Sequence, residues 1–129
     1  MPADQDKITR SDSVVKVFGI KNCDSCRKAL KWLKLHDVPH RFHDLRERAP
    51  SASLVGLWCN SSFGDRIVNR RSTTWRSLNG QQRAAALANP EPSLLEHPTL
   101  IKRPVFMRGS KVLAVGFYPS ELESRLPGF

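Results

Sequence analysis

The sequence predicts an α/β fold: a strand–helix–strand unit, a helical stretch without strands, then a β-hairpin and a closing helix. Three observations carry this. Strand-like runs at Val14–Phe18 and His40–Arg46 flank an amphipathic stretch of helical period. Residues from Pro50 to Leu95 form short helical pieces without a convincing strand. Strand character then returns on both sides of a turn at Arg108-Gly109-Ser110-Lys111. A helical crossover makes the first two strands parallel.

Met1–Ser13 is polar and aperiodic, which predicts a flexible tail, with residues 14–129 forming one domain that carries a helical insertion at about 50–96. Val14–Phe18 is the first strand. Gly19 opens a tight connection, and Asn22 is the expected N-cap of a helix running from Cys23 to about His36. In that helix Ala29, Trp32, Leu33 and His36 recur at spacings of three and four and predict the buried face, while Arg27, Lys28, Lys31 and Lys34 make the other face basic. Asp37-Val38-Pro39 ends the helix. Within the insertion, Ser51–Cys59 reads as a helix with Leu54, Leu57 and Trp58 inward, and Cys59 as a small buried hydrophobe. Gln81–Leu87 and Ser93–His97 are two further short helices. Pro98–Met107 and Val112–Phe117 are the hairpin strands, with Arg103–Pro104 a candidate cis peptide, and Pro119–Leu126 the last helix.

The chemistry concentrates in Lys21-Asn22-Cys23-Asp24-Ser25-Cys26-Arg27. A cysteine at the start of a helix meets unpaired N–H groups and the positive end of the dipole, which favour a thiolate and lower a pKa of about 8.5 into the range of roughly 3.5–7.5. Lys21 and Arg27 add positive charge and Asp24 opposes it. Cys26 lies on nearly the same face. Cβ atoms three residues apart in a helix are about 5–6 Å distant, against about 3.5–4.5 Å in a disulfide, so the pair closes only if Cys23 stands at the frayed edge of the helix. Cys23 is therefore the candidate nucleophile and Cys26 the candidate resolving thiol. His40 and His43 point to opposite faces of a strand, and the three cysteines lack the paired spacing of zinc sites, so no metal site is expected.

The chain has 129 residues and three cysteines, too few for a disulfide framework. It shows no secretory-signal pattern and no apolar run near the ~20 residues that cross a bilayer, so a soluble protein of the reducing cytoplasm is expected, without membrane partners. A formal charge of +9 and a pI near 10.1 suit anionic partners. The basic residues are spread along the chain without nucleic-acid-binding signatures, which favours a small anionic ligand over direct nucleic-acid binding. The segment from Asp65 to Arg76 gathers guanidiniums, which bind carboxylate or phosphate oxyanions in two-pronged fashion.

The order of elements, with a thiol at the first strand–helix junction and a proline opening the hairpin, resembles the thioredoxin fold. More closely, Phe18-Gly19-Ile20-Lys21-Asn22-Cys23-Asp24, His43-Asp44-Leu45-Arg46, Asn69-Arg70-Arg71-Ser72-Thr73-Thr74-Trp75 and Ile101-Lys102-Arg103-Pro104 resemble the arsenate-reductase-like family that includes ArsC, Spx and YffB proteins. The resemblance covers about residues 14–126. It implies a mixed sheet with flanking helices and an all-helical insertion, Cys23 as nucleophile, and Arg103 with a cis Pro104 as an anion-binding pair facing it. Where arsenate reductases place a second oxyanion arginine this chain has Asn69, with Arg70 and Arg71 adjacent. Where they place a third it has Ala114-Val115-Gly116-Phe117. Two of three arsenate-clamping positions are altered, which speaks against efficient arsenate reduction.

The members with similar Gly-Ile-Lys-Asn-Cys-Asp and Arg-Ser-Thr-Thr-Trp segments resemble a glutathione-dependent thiol reductase. That likeness implies glutathione as cosubstrate, no bound cofactor, and a basic rim of Lys21, Arg71 and Arg103, with Asn22, Arg27, Asn69 and Pro104 beside it, for its carboxylates. The Cys-Asp-Ser-Cys pair departs from single-cysteine members and resembles the redox switch of Spx-type transcription regulators, which contact RNA polymerase. An enzyme using the Cys23 thiolate and a regulator using a Cys23–Cys26 switch are the two expectations.

Overall fold

The computed structural model describes residues 14–126; the expected tail at 1–13 lies outside the described residues. In chain order the elements are β1 (Val15–Gly19), α1 (Asp24–Leu35), β2 (His40–Asp44), α2 (Ala52–Cys59), α3 (Thr73–Ser77), α4 (Gly80–Ala88), α5 (Pro90–Glu96), β3 (Val105–Arg108), β4 (Lys111–Val115) and α6 (Pro119–Arg125). They gather into two compact units, one ending at Asp44 and resuming at Arg103, the other spanning Leu45–Lys102.

The first unit is a four-stranded mixed sheet in the order β2-β1-β3-β4. β1 pairs parallel with β2, from Val15 opposite His40 to Gly19 opposite Asp44, and antiparallel with β3, from Val15 opposite Arg108 to Phe18 opposite Val105. A strand covered on both faces of its sheet reads as a near-continuous apolar run, and Val15, Val17, Phe18 and Gly19 of the inner strand β1 are buried. The β3–β4 hairpin turns through Gly109 at φ 58°, a left-handed conformation that glycine adopts without a Cβ penalty. Val15, Val17, Ala29, Leu33, Phe106 and Leu122 form one core, so α1 and α6 are held by the apolar side chains they bury. Burying one such side chain fully is worth about 1.5–3 kcal/mol.

The inward face of α1 is Cys26, Ala29 and Leu33. His36, expected there, is exposed; its ring stacks on Trp32 at 4.2 Å and its Nδ1 approaches the Trp32 carbonyl at 2.8 Å. The helix stops where Asp37 turns to φ 54° and the Val38 N–H reaches back to the Leu33 carbonyl at 2.9 Å.

The second unit is helical, as its composition predicts. Ser51 caps α2, accepting the Leu54 N–H at 3.1 Å, and Asn79 with Gln82 forms a reciprocal capping box on α4 with both bonds at 2.8 Å. α5 packs against α2 and α4. Leu57 is 42% exposed rather than inward, because Val55 and Trp58 hold the buried positions of that helix. Cys59 is half-buried rather than buried. The strand expected from Pro98 to Met107 is broken: Pro98–Leu100 is a 3-10 turn, Ile101 makes a single bridge to Val68, and the Lys102 N–H bonds to the Ile67 carbonyl at 2.8 Å. Those bonds lie within the helical unit, so the sheet strand begins only after Pro104. α3 was not expected from sequence; Ser72 caps it, accepting the Trp75 N–H at 3.0 Å.

Candidate active site at the first strand–helix junction

β1 ends at Gly19 because the chain must there pass closely over Cys26: a Cβ on Gly19 would collide with the Cys26 sulfur. Ile20–Cys23 then makes a tight turn, closed by the Cys23 N–H on the Ile20 carbonyl at 3.2 Å. Asn22 lies exposed in that turn and is not the N-cap. The cap is Cys23 itself, extended at φ −115° and ψ 123°, with its carbonyl accepting the first helical bond from Arg27 at 2.9 Å. The chain reaches the helix one residue later than expected because the turn from β1 needs both Lys21 and Asn22. The sulfur thus stands at the helix edge, the position the three-residue spacing demands for exchange with Cys26.

All three cysteines are free thiols. Partial burial pushes the Cys23 pKa up, but the Cys26 backbone N–H, the Cys26 thiol and the Arg103 guanidinium outweigh it, and the net direction is downward. The helix start makes no conventional side-chain cap bond. Cys26 moves the other way. Burial drives its pKa up to about 12, and the charge of Cys23 adds to the rise, against the lowering effect of the Ile20 backbone. The two shifts are opposed: the site favours the thiolate at Cys23 and the protonated thiol at Cys26.

Arg103 and Pro104 enter from the start of β3. Their peptide bond is cis, as the sequence suggested, and the Pro104 carbonyl accepts the Gly116 N–H at 2.8 Å, which ties the step to β4. The structure therefore brings together Cys23, Cys26 and Arg103. Lys21 is exposed in the turn, its backbone N–H held by the Asp44 carboxylate at 3.2 Å. Asp44 is a residue that sequence reasoning missed, although it lies in the quoted His43–Arg46 segment; its place opposite Gly19 in the β1–β2 register puts it beside the turn. Arg27 pairs with Asp24 at 2.9 Å on the exposed face of α1 and is not among the groups that lower the Cys23 pKa. Asn69 and Arg71 belong to the helical unit, where the Asn69 side-chain carbonyl accepts the Arg71 N–H at 3.1 Å and shapes the turn before α3. Cys59, also in that unit, has its pKa raised by burial and by Glu91. Among the described residues no cluster of His, Cys, Asp and Glu is arranged to hold a metal ion, and no helix is long and apolar enough to cross a membrane.

This geometry has counterparts in known proteins. Residues 18–124 match the model of the ArsC family. The chain is 41% identical to an uncharacterized protein of Haemophilus influenzae over 113 residues, which cover 86% of this chain and 97% of the other. It is 29% identical to the global transcriptional regulator Spx of Staphylococcus saprophyticus, with 88% of each chain covered. Among solved structures it is similar to a YffB protein, with a TM-score of 0.78, 34% identity and coverage of 87% and 98%. It is also similar to an arsenate reductase (ArsC) related protein from Brucella melitensis, with a TM-score of 0.67, 33% identity and coverage of 86% and 92%.

Proposed function

Given that this chain belongs to the ArsC family, we propose that it is a glutathione-linked thiol–disulfide oxidoreductase with Cys23 as nucleophile. The observation that carries the reading is the opposed pair at the helix edge: a half-exposed Cys23 whose pKa is lowered beside Arg103, and a buried Cys26 whose pKa is pushed up to about 12. Nucleophilicity in thiol exchange belongs to the thiolate, and the division leaves one attacking group.

In the proposed reaction the Cys23 thiolate attacks the glutathione sulfur of a mixed disulfide between glutathione and a second thiol, which departs as the thiolate. A sulfur–sulfur bond forms to Cys23, the substrate bond breaks, and the departing thiolate takes a proton from solvent. Glutathione thiolate then attacks the Cys23-bound sulfur, releasing glutathione disulfide and regenerating the Cys23 thiolate. Arg103 serves both steps by stabilising the sulfur anion. With Lys21, it supplies positive charge for the carboxylates of glutathione. Once Cys23 is in a mixed disulfide its negative charge is gone, so the contribution that charge makes to the high Cys26 pKa disappears and Cys26 becomes more competent to resolve the bond. A reducing, cytoplasmic setting goes with this chemistry.

The Cys-x-x-Cys pair and the likeness to Spx favour a second reading, a redox-sensing regulator that contacts RNA polymerase. Turnover of a small glutathione mixed disulfide by the wild type, Cys23→Ser and Cys26→Ser separates the two. The enzyme reading expects activity to vanish in Cys23→Ser and persist in Cys26→Ser. No turnover in any form, together with binding to RNA polymerase that depends on the Cys23–Cys26 disulfide, would replace it with the regulator.

A further inference from the structure

We infer that the helical unit carries a docking surface for an acidic segment of a partner protein, formed by Arg70, Arg76 and Arg83 around Trp75. Trp75, 9% exposed, anchors α3, and the guanidinium carbons of Arg70 and Arg83 each lie 5.6 Å from the centre of its ring. Arg83 is fixed further: its Nε donates to the Trp75 carbonyl and its Nη2 to the Arg76 carbonyl, both at 3.1 Å. Arg76 is exposed on the same short helix and reaches only the Thr73 hydroxyl, at 3.4 Å. Among the described residues no carboxylate pairs with any of the three.

Three like charges are thus collected on one ring and one helix end without a paired carboxylate among the described residues, two of them in cation–π contact with the ring. Arg83, held also by two backbone carbonyls, is ordered before any ligand arrives, which lowers the cost of binding one. Planar guanidinium forks match carboxylates in two-pronged fashion. Single-stranded nucleic acid would need an aromatic face for base stacking. Here guanidiniums already occupy the indole, which favours side-chain carboxylates over a nucleic acid. The inference uses none of the groups that set the Cys23 and Cys26 pKa values, so it stands apart from the proposed reaction.

The test uses the full chain and a dye-labelled peptide of alternating glutamate and aspartate, followed by fluorescence anisotropy. Arg70→Glu with Arg76→Glu is compared with Lys28→Glu plus Lys31→Glu on α1, which changes the net charge equally. The expected result is a loss of affinity of about tenfold or more in the arginine double variant and less than about twofold in the lysine double variant. Arg70→Gln with Arg76→Gln gives the same direction of effect without introducing repulsion. Absence of peptide binding by the wild type, equal losses in the two charge-reversed variants, or tighter and equally arginine-dependent binding of poly-uridylate RNA would each overturn the proposal.

Discussion

Arg103 supplies the full positive charge among the groups that lower the Cys23 pKa, adding to the larger effects of the Cys26 N–H and thiol. Removing a hydrogen bond to a charged group costs about 1.5–3 kcal/mol, and Arg103→Ala is expected to slow turnover about tenfold or more. Iodoacetamide alkylation of Cys23 against pH checks the cause. The thiolate fraction rises with pH, the lowered pKa sets that rise at lower pH than for a free cysteine, and Arg103→Ala moves the curve back upward. An unmoved curve would separate Arg103 from the ionisation. Cys26 gives a prediction of opposite sign. With its folded pKa at about 12 and an unfolded value near 8.5, its contribution to stability is fully present below pH ~8.5 and is lost as pH rises toward about 12. Cys26→Ala removes that contribution, so alkaline unfolding of the variant is expected to show a flatter pH dependence over that window. Equal slopes would mean that Cys26 does not stay protonated in the fold.

At the scale of elements, the end of β1 and the start of α1 are fitted to one another through Gly19 and Cys26. Gly19→Ala places a methyl group against a buried sulfur that has little room to move, and overpacking of this kind costs about 1–3 kcal/mol. Chemical denaturation measures the loss, and the same variant is expected to shift the Cys23 alkylation curve because Cys26 must move. In the helical unit Asn79→Ala breaks the capping box of α4 and is expected to cost about 0.5–2 kcal/mol without altering Cys23 reactivity. The first strand, the Ala29 and Leu33 positions of the helix stripe and the hairpin were legible in the sequence because burial on a regular element repeats at a fixed spacing, whereas His36, expected on that stripe, is exposed and Cys26 takes its buried end instead. What was not legible depends on partners distant in sequence. Asn22 is a good cap by type, yet closing the turn on Ile20 left that place to Cys23. α3 is too short to show a period. The arrest of the expected strand before Pro104 is set by the pairing of Ile101 and Lys102 with Val68 and Ile67. Arg103 is brought to Cys23 by the antiparallel pairing of β1 with β3, a link that spacing along the chain cannot reveal and that the family-like motifs around Cys23 and Pro104 implied.

Across the whole molecule, twenty-one lysines and arginines face twelve aspartates and glutamates, a formal charge of +9. Such a field concentrates anions near the protein at low salt, by roughly tenfold or more where the charge lies around the site, and it is screened over about 10 Å at 0.1 M ionic strength but about 3 Å at 1 M. The Arg103 guanidinium acts on a Cys23 sulfur that is itself partly buried, so screening weakens that interaction far less. The two effects are therefore separable by salt. With the mixed disulfide of glutathione and mercaptoethanol, which is anionic, kcat/KM is expected to fall several-fold between about 0.02 M and 1 M salt; with hydroxyethyl disulfide and dithiothreitol, both uncharged, it is expected to hold within about twofold. Steady-state rates over that series, taken alongside the alkylation rate of Cys23, decide the matter. If the uncharged substrate slows in parallel and alkylation slows with it, salt is acting on the thiolate and Arg103, and the positive surface is not recruiting substrate. If only the anionic substrate slows, the spread basic residues gather the cosubstrate while the chemistry is left to the sulfur and the one arginine beside it.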